Sequence, residues 1–560
     1  MSRVLIALVA LLAPVVWARD FNTAPALANP GGATVISVST VSALQNAVAN
    51  LQSNQIIEIA DGTYTLTQSL FVNYGTAVTL TNIGIRGASR NPAACVIQGN
   101  GMGGSIPHGI HLSRVNGCLI ADLTIRNVHN HAIQLAGEHN VSHVRMYNLR
   151  LYDTGEQFVK GSATAWGQGA DFGIVEYCEL RYTAQGTNYT NGVDIHGGEG
   201  WVIRHNRFEN VNLIPGGIGP AILMWNGSSN TIVEGNTFIN CETAIALGLV
   251  DRAAPQTDHS GGIVRNNFIW RSGGTVTGMD TPDCSILIWD SPNTKVLHNT
   301  IIQNGSYASG IEYRFSTTGA VIRFNLMDCT VLDRGGGTGG NTVGNNVGNA
   351  QAGWFVNASG GANLRLGASA PASVVDAATA LADASDDYDG FARPAGSAPD
   401  IGAAERNGAP PAPTAPAAPT GCGVQSLGSL QIRVTWTDAS HNEDGFRIER
   451  SDAGGAFAGA GTVAPGVVTF TDTGLTDGVS YTYRVVAFNA AGDSAPSNTG
   501  SATAVAGAPT APPVGGNGGG GGGGCVAGPV RAPALSVLVV VALALLLRAS
   551  NLHAWPKRSR

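Results

Sequence analysis

The chain of 560 residues is poor in charge: Asp, Glu, Lys and Arg together make 12% of it, roughly half the usual quarter of a soluble protein. The formal net charge of −7 is spread thinly, so charge implies neither a nucleic acid nor an acidic polymer as partner. Cys-x-x-Cys pairs are missing among its eight cysteines, which argues against a zinc site. Cys95, Cys118, Cys178, Cys241, Cys284 and Cys329 are read as small core residues, although export would permit disulfides. A leucine framework of the leucine-rich-repeat kind is absent. What the chain has in abundance is glycine, 76 residues, together with one short phrase used again and again.

The phrase is VIRHNRFEN at 202, IVEGNTFIN at 232, IVRNNFIWR at 263, KVLHNTIIQ at 295 and VIRFNLMDC at 321. Its asparagines, Asn206, Asn236, Asn267, Asn299 and Asn325, recur at intervals of 30, 31, 32 and 26 residues, a period that marks a solenoid or a propeller. Apolar residues alternate within each copy, which predicts strand and not helix. Between copies lie small polar turns and a second apolar run, such as GVDIHGG at 192, AILMWNG at 221 and SILIWDS at 285. Two or three short strands per turn predict a β-helix, since a four-stranded propeller blade needs a longer period.

In these features residues 19–407 resemble the right-handed parallel β-helix proteins, the group that holds pectate lyases and other polysaccharide-active enzymes. The opening stretch predicts an amphipathic helix from near Ser42 that covers the first, otherwise open, strand edge. The closing stretch from Asp386 to Glu405 resembles the ending of secreted β-helix proteins, its acidic residues forming a surface turn or a calcium site.

A Pro/Ala-rich linker, residues 408–419, leads to a second module, residues 420–505. Its short alternating strands, with Trp436 and the Tyr481, Tyr483, Val485 alternation facing inward, resemble a fibronectin type III sandwich. The fold class is thus all-β, a solenoid followed by a sandwich, with the sandwich a spacer. At the start, Arg3, the apolar run Val4 to Val16 and the site Val16-Trp17-Ala18 read as a signal peptide over residues 1–18. After a Gly-rich linker, residues 506–524, the segment 525–560 resembles the C-terminal sorting tails of Gram-negative bacteria. Its apolar part, Ala532 to Leu547, is short for a permanent span of about twenty residues, and its basic end would stay in the cytoplasm. An exported monomer at the bacterial surface or outside the cell is expected, meeting the membrane through this segment, with Cys525 either a processing site or incidental.

Since stacked side chains fill a β-helix, function must come from residues that project outward. Aligning the second strand by its apolar pairs leaves one outward column of Asp194, Leu223, Ala246, Leu287 and Glu312. A second runs His196, Trp225, Gly248, Trp289 and Arg314, with Lys160 placed at its head. Rungs about 4.8 Å apart would line up Lys160, His196 and Trp225. Ionisable and aromatic side chains along a flat face suit a linear polysaccharide, with Trp225, Trp289, Arg314 and Glu312 as substrate-binding residues; the competing reading has the long loop at 251 cover the two tryptophans.

The order Glu156, Lys160, Arg181 resembles the alginate lyase and chondroitinase B type of β-helix lyase. That resemblance implies β-elimination on a uronic-acid polysaccharide, with Lys160 as base and Arg181 or His196 assisting by charge or proton donation. It also implies calcium, for which Glu156 and Asp153 are the only ligand candidates, while the Arg-Pro-x-x-Arg elements of classical pectate lyases are absent. Asp194 and His196, with Glu199 near, are an alternative acid/base pair for glycoside hydrolysis, and a non-catalytic carbohydrate-binding or adhesin-like surface protein is the other alternative. The histidines His108, His111, His129, His131, His139 and His143, with Asp258 and His259, lack the spacing of a metal site and are read as turn or groove residues.

Overall fold

The computed structural model describes residues 24–507 except 31, 185, 188, 212–218, 274–283, 336–338, 362, 407–414, 438, 441, 442, 444, 464–467, 490 and 491. Both the signal-peptide and the sorting-tail segments lie outside the described residues, and no described helix is long and apolar enough to cross a membrane.

From Thr34 to Gly344 the chain coils through three parallel sheets, giving one strand to each per turn. Sheet 1 has 12 strands, from Thr34–Val38 to Thr342–Gly344. Sheet 2 has 10, from Gly62–Thr65 to Leu326–Met327, and sheet 3 has 10, from Leu70–Val72 to Thr330–Asp333. Each strand bonds to its counterparts one turn before and after it, so equivalent residues of successive turns stack. The inward residues form a continuous buried core that includes Ile133, Val159, Val193, Ile222, Ile245, Ile286 and Ile311.

The repeated phrase spans the corner between sheets 1 and 2. Its asparagine follows a left-handed residue, His205, Gly235, Asn266, His298 or Phe324, and there turns inward. Asn236 Oδ1 accepts from the backbone N–H of Asn206 at 2.9 Å and from Asn206 Nδ2 at 3.0 Å. The same pair of bonds links Asn236 to Asn267, Asn267 to Asn299, Asn299 to Asn325 and Asn325 to Asn346. Cys178 heads this ladder, its N–H bonding to Asn206 Oδ1 at 2.9 Å. Beside the ladder Phe208 and Phe238 stack with ring centroids 4.9 Å apart.

The helix Val41–Ala49 buries Leu44 and Val48, and Thr40 caps it by accepting from Ala43 N–H at 3.1 Å. At the other end the carboxylates of Asp387, Asp400 and Glu405 are taken up by backbone N–H groups between Asp376 and Arg406 and by the buried Arg393. The seven cysteines among the described residues are buried and none is in a disulfide there, as core filling requires. The second module is a sandwich with a core of Trp436, Phe446, Ile448, Tyr481, Tyr483 and Val485.

Candidate functional site on the outer face of sheet 3

Sheet 3 carries most of the predicted residues, in a register that differs from the predicted one at a single rung. Lys160 pairs with Gln134 on one side and Asp194 on the other, while Gly161 pairs with Ile195. Lys160 therefore belongs to the first outward column, Phe71, His111, Gln134, Lys160, Asp194, Leu223, Ala246, Leu287, Glu312, and does not head the second. A shift of two residues keeps a side chain on the same face, so Lys160 still points outward.

Its amine closes the gap between the columns. Lys160 Nζ lies 2.6 Å from Asp194 Oδ2 and 2.8 Å from His196 Nε2. Asp194, 1% exposed, accepts through its other oxygen from Trp225 Nε1 at 3.0 Å. The Trp225 ring meets His196 edge-on at 4.7 Å. Burial pushes the His196 imidazole down to about 4, against the opposing pull of Asp194 and with the help of Lys160. At neutral pH it is therefore a neutral ring with one N–H and one lone pair.

Asn226 and Arg252 belong to this cluster and were missed in the sequence, and Asp258 joins it. Asn226 Nδ2 donates to His196 Nδ1 at 2.9 Å, and Arg252 Nη2 donates to Asn226 Oδ1 at 2.5 Å. Arg252 is held in turn by Asp258 Oδ1 at 2.8 Å and lies 5.0 Å from the ring centre of Trp166. Asp258 was noted only beside a histidine group. The signals for Asn226 and Arg252 were faint: an Asn-Gly turn, with Asn226 at φ 57° and Gly227 at φ 86°, and one arginine in a long loop.

Other predicted residues stand apart. Arg181 lies on sheet 2, where its guanidinium covers the Tyr152 ring at 4.9 Å and reaches Glu179 at 3.8 Å; it does not join Lys160. Asp153 accepts from Thr183 N–H, Thr183 Oγ1 and Ala184 N–H, and Glu156 Oε2 is 3.7 Å from His131 Nε2. No group of three His, Cys, Asp or Glu side chains that could hold a metal ion occurs among the described residues. Trp289 is 6% exposed. It packs with Leu223, Ala246, Leu249, Cys284 and Leu287, under the Arg314 guanidinium at 5.2 Å and against Phe315 at 5.7 Å. It is no open platform for a sugar ring, and Arg314 is one of its covers. Glu312 is buried on Arg334 Nη1 at 3.1 Å and Ser309 Oγ at 2.7 Å. The open part of the face is thus its N-terminal half, from Phe71 to Trp225.

Of the histidines, His108, His111 and His131 lie on sheet 3. His108 stacks on His131 at 5.2 Å and tilts against His111 at 5.6 Å; burial pushes His108 down to about 4 and His131 well below its usual value. His139 is bonded to Ser113 at 3.1 Å, and His259 is buried between Ser291 and Thr231.

No curated protein matches the chain. Solved structures that resemble it do so over a small part. They include domains A168-A170 from titin (24% identity, 16% of this chain and 32% of that one, TM-score 0.15) and chicken CNTN1 FN1-FN3 domains (27%, 16% and 32%, 0.15). A third is FN3tt (21%, 17% and 99%, 0.15). The chain spans 32% of the titin fragment and 16% of a titin kinase structure with its flanking domains, and likenesses of this extent carry no argument about function. Family comparison is more informative: residues 108–366 match the family described as right handed beta helix region, and residues 417–503 match the fibronectin type III domain. The β-helix region fits pectate lyase-like, glycosidase-like and binding proteins alike. By these matches and by its sheet topology, the chain carries a right-handed β-helix region followed by a fibronectin type III domain.

Proposed function

We propose that the protein is an exported enzyme that acts on a polysaccharide, and that its reaction is β-elimination on a uronic-acid polymer. The observation that carries this reading is the Lys160, Asp194, His196, Trp225 cluster on the outer face of sheet 3. An amine and an imidazole within hydrogen-bond reach of each other, partly open to solvent and beside an indole face, supply a base, an acid and a sugar-stacking surface.

In that reaction Lys160 Nζ takes the proton from the carbon next to the uronate carboxyl. The C–H electron pair becomes the new C=C bond, the glycosidic C–O bond breaks, and the leaving oxygen takes a proton back from the ammonium so formed on Lys160. Arg181 has no part, since it sits on another sheet. Hydrolysis by two carboxyl groups is the weaker reading, because both oxygens of Asp194 are already engaged by Lys160 and Trp225.

The test is incubation of the purified chain with a panel of polyuronides, recording ultraviolet absorbance and viscosity together. Rising absorbance from unsaturated ends is the expected result. Falling viscosity without absorbance would replace elimination by hydrolysis, and retention of a polymer with neither change would leave a binding protein.

A further inference from the structure

We propose that Arg252 and Asn226 are positioning residues which fix the tautomer of His196, with its hydrogen on the Nε2 that faces Lys160. The chain of inference starts from the one group in the network that has no choice. A guanidinium has only donors, so the atom of Asn226 that lies 2.5 Å from Arg252 Nη2 is its oxygen. The amide nitrogen therefore faces His196, and it donates to Nδ1 at 2.9 Å.

With Nδ1 accepting, a neutral imidazole carries its hydrogen on Nε2. Nε2 points at Lys160 Nζ, 2.8 Å away. Asp194 Oδ1 is 3.6 Å from Nε2, too far to take that hydrogen, and it is already occupied by Trp225. Nζ, which also bonds to Asp194 Oδ2 at 2.6 Å, is the partner that the structure gives Nε2.

The start of the chain is firmly anchored. Arg252 Nε donates to Asp258 Oδ1 at 2.8 Å, and Asp258 Oδ2 accepts from Leu249 N–H and Val250 N–H at 2.7 and 2.9 Å. The Arg252 backbone N–H is bound by Asp290 at 3.1 Å. The titratable and charged groups facing the Lys160 and His196 pair are His131 from the preceding turn, Asp194 from the following one, and Arg252 and Asp258 from the loop; Tyr189 lies near Asp194. The tautomer does not depend on the elimination reading.

The test uses Asn226→Asp in the full chain. A carboxylate accepts from Arg252 and from His196 alike, so it reverses the imidazole: Nδ1 then donates and Nε2 accepts from Lys160. Nitrogen-15 NMR of histidine-labelled protein, with His196 assigned by its loss in His196→Gln, should show hydrogen on Nε2 in the parent and on Nδ1 in Asn226→Asp. Arg252→Gln, which frees the amide to turn over, should give both forms and serves if the first variant does not fold. Hydrogen on Nδ1 in the parent, or no change in either variant, overturns the proposal.

Discussion

Asn267 is the residue at which the stability of the solenoid can be measured most cleanly, because its side chain replaces a row of backbone bonds at a corner. Fully buried, its Oδ1 accepts from Asn236 N–H and Asn236 Nδ2 at 3.0 Å each, and its Nδ2 donates to Val233 O, Arg265 O and Asn299 Oδ1 at 2.9 Å. Truncation in Asn267→Ala leaves the Asn236 N–H and one Nδ2 hydrogen buried without acceptors. Each such donor costs about 1–3 kcal/mol, so a local loss of about 3–5 kcal/mol is expected. Asn346 accepts the equivalent pair from Asn325 at 3.0 and 2.9 Å but is half-buried. Water can replace it, and Asn346→Ala should cost only about 1 kcal/mol. Hydrogen exchange reads the difference at the orphaned amide itself. A factor of ten per 1.4 kcal/mol means that Asn236 N–H should exchange roughly 10²–10³ times faster in Asn267→Ala, against about tenfold or less for Asn325 N–H in Asn346→Ala. Equal acceleration in the two variants, or none in the first, would refute the ladder as a stabilising element.

Three further outcomes follow from the same structure. Glu242 is 0% exposed, neither of its oxygens has a hydrogen-bond partner, and burial raises it from 4.5 to about 7; its penalty is absent below 4.5 and grows as pH rises through 7. Glu242→Gln should therefore unfold at higher denaturant at pH 8, by about 3 kcal/mol, and equal the parent at pH 4. His259 is lowered from 6.5 to about 3 by burial, so the stability it contributes is present above 6.5 and is lost as pH falls through 3. Melting curves should show the parent losing about 3 kcal/mol between pH 7 and pH 4 from this group, and His259→Asn, already weaker at pH 7, losing less over that interval. Arg181→Ala should leave the rate on any productive polyuronide within twofold, because the guanidinium lies on sheet 2; a large loss would bring that residue back into the reaction.

The coil was legible because its corner residue repeats: an inward asparagine every 26 to 32 residues is bonded to the next, so the spacing in the sequence is the rung itself. Register failed where the repeat loses its apolar marker. Strand Val159–Ser162 has Gly161 at the inward position, and a side chain there would meet Ile195 Cδ1 at 2.9 Å. With no second apolar residue to align, Lys160 was set two positions too far along. Arg181 misled for a related reason: 21 residues is about two-thirds of a turn, which carries the chain from sheet 3 round to sheet 2 of the next rung. Trp289 reads like Trp225 in one dimension, yet it is buried in a cluster that Leu249 and Val250, just before the loop at 251, help to form. The relay from Arg252 through Asn226 to His196 joins positions 26 and 30 residues apart, and no local pattern announces it.

The central claim is that the amine of Lys160 performs the proton abstraction, and the rate of unsaturated-product formation by Lys160→Ala tests it most directly. With substrate bound and the fold intact by hydrogen exchange, removing a general base should lower that rate by about 10²–10⁴-fold. A rate in Lys160→Ala equal to that of the parent would contradict it.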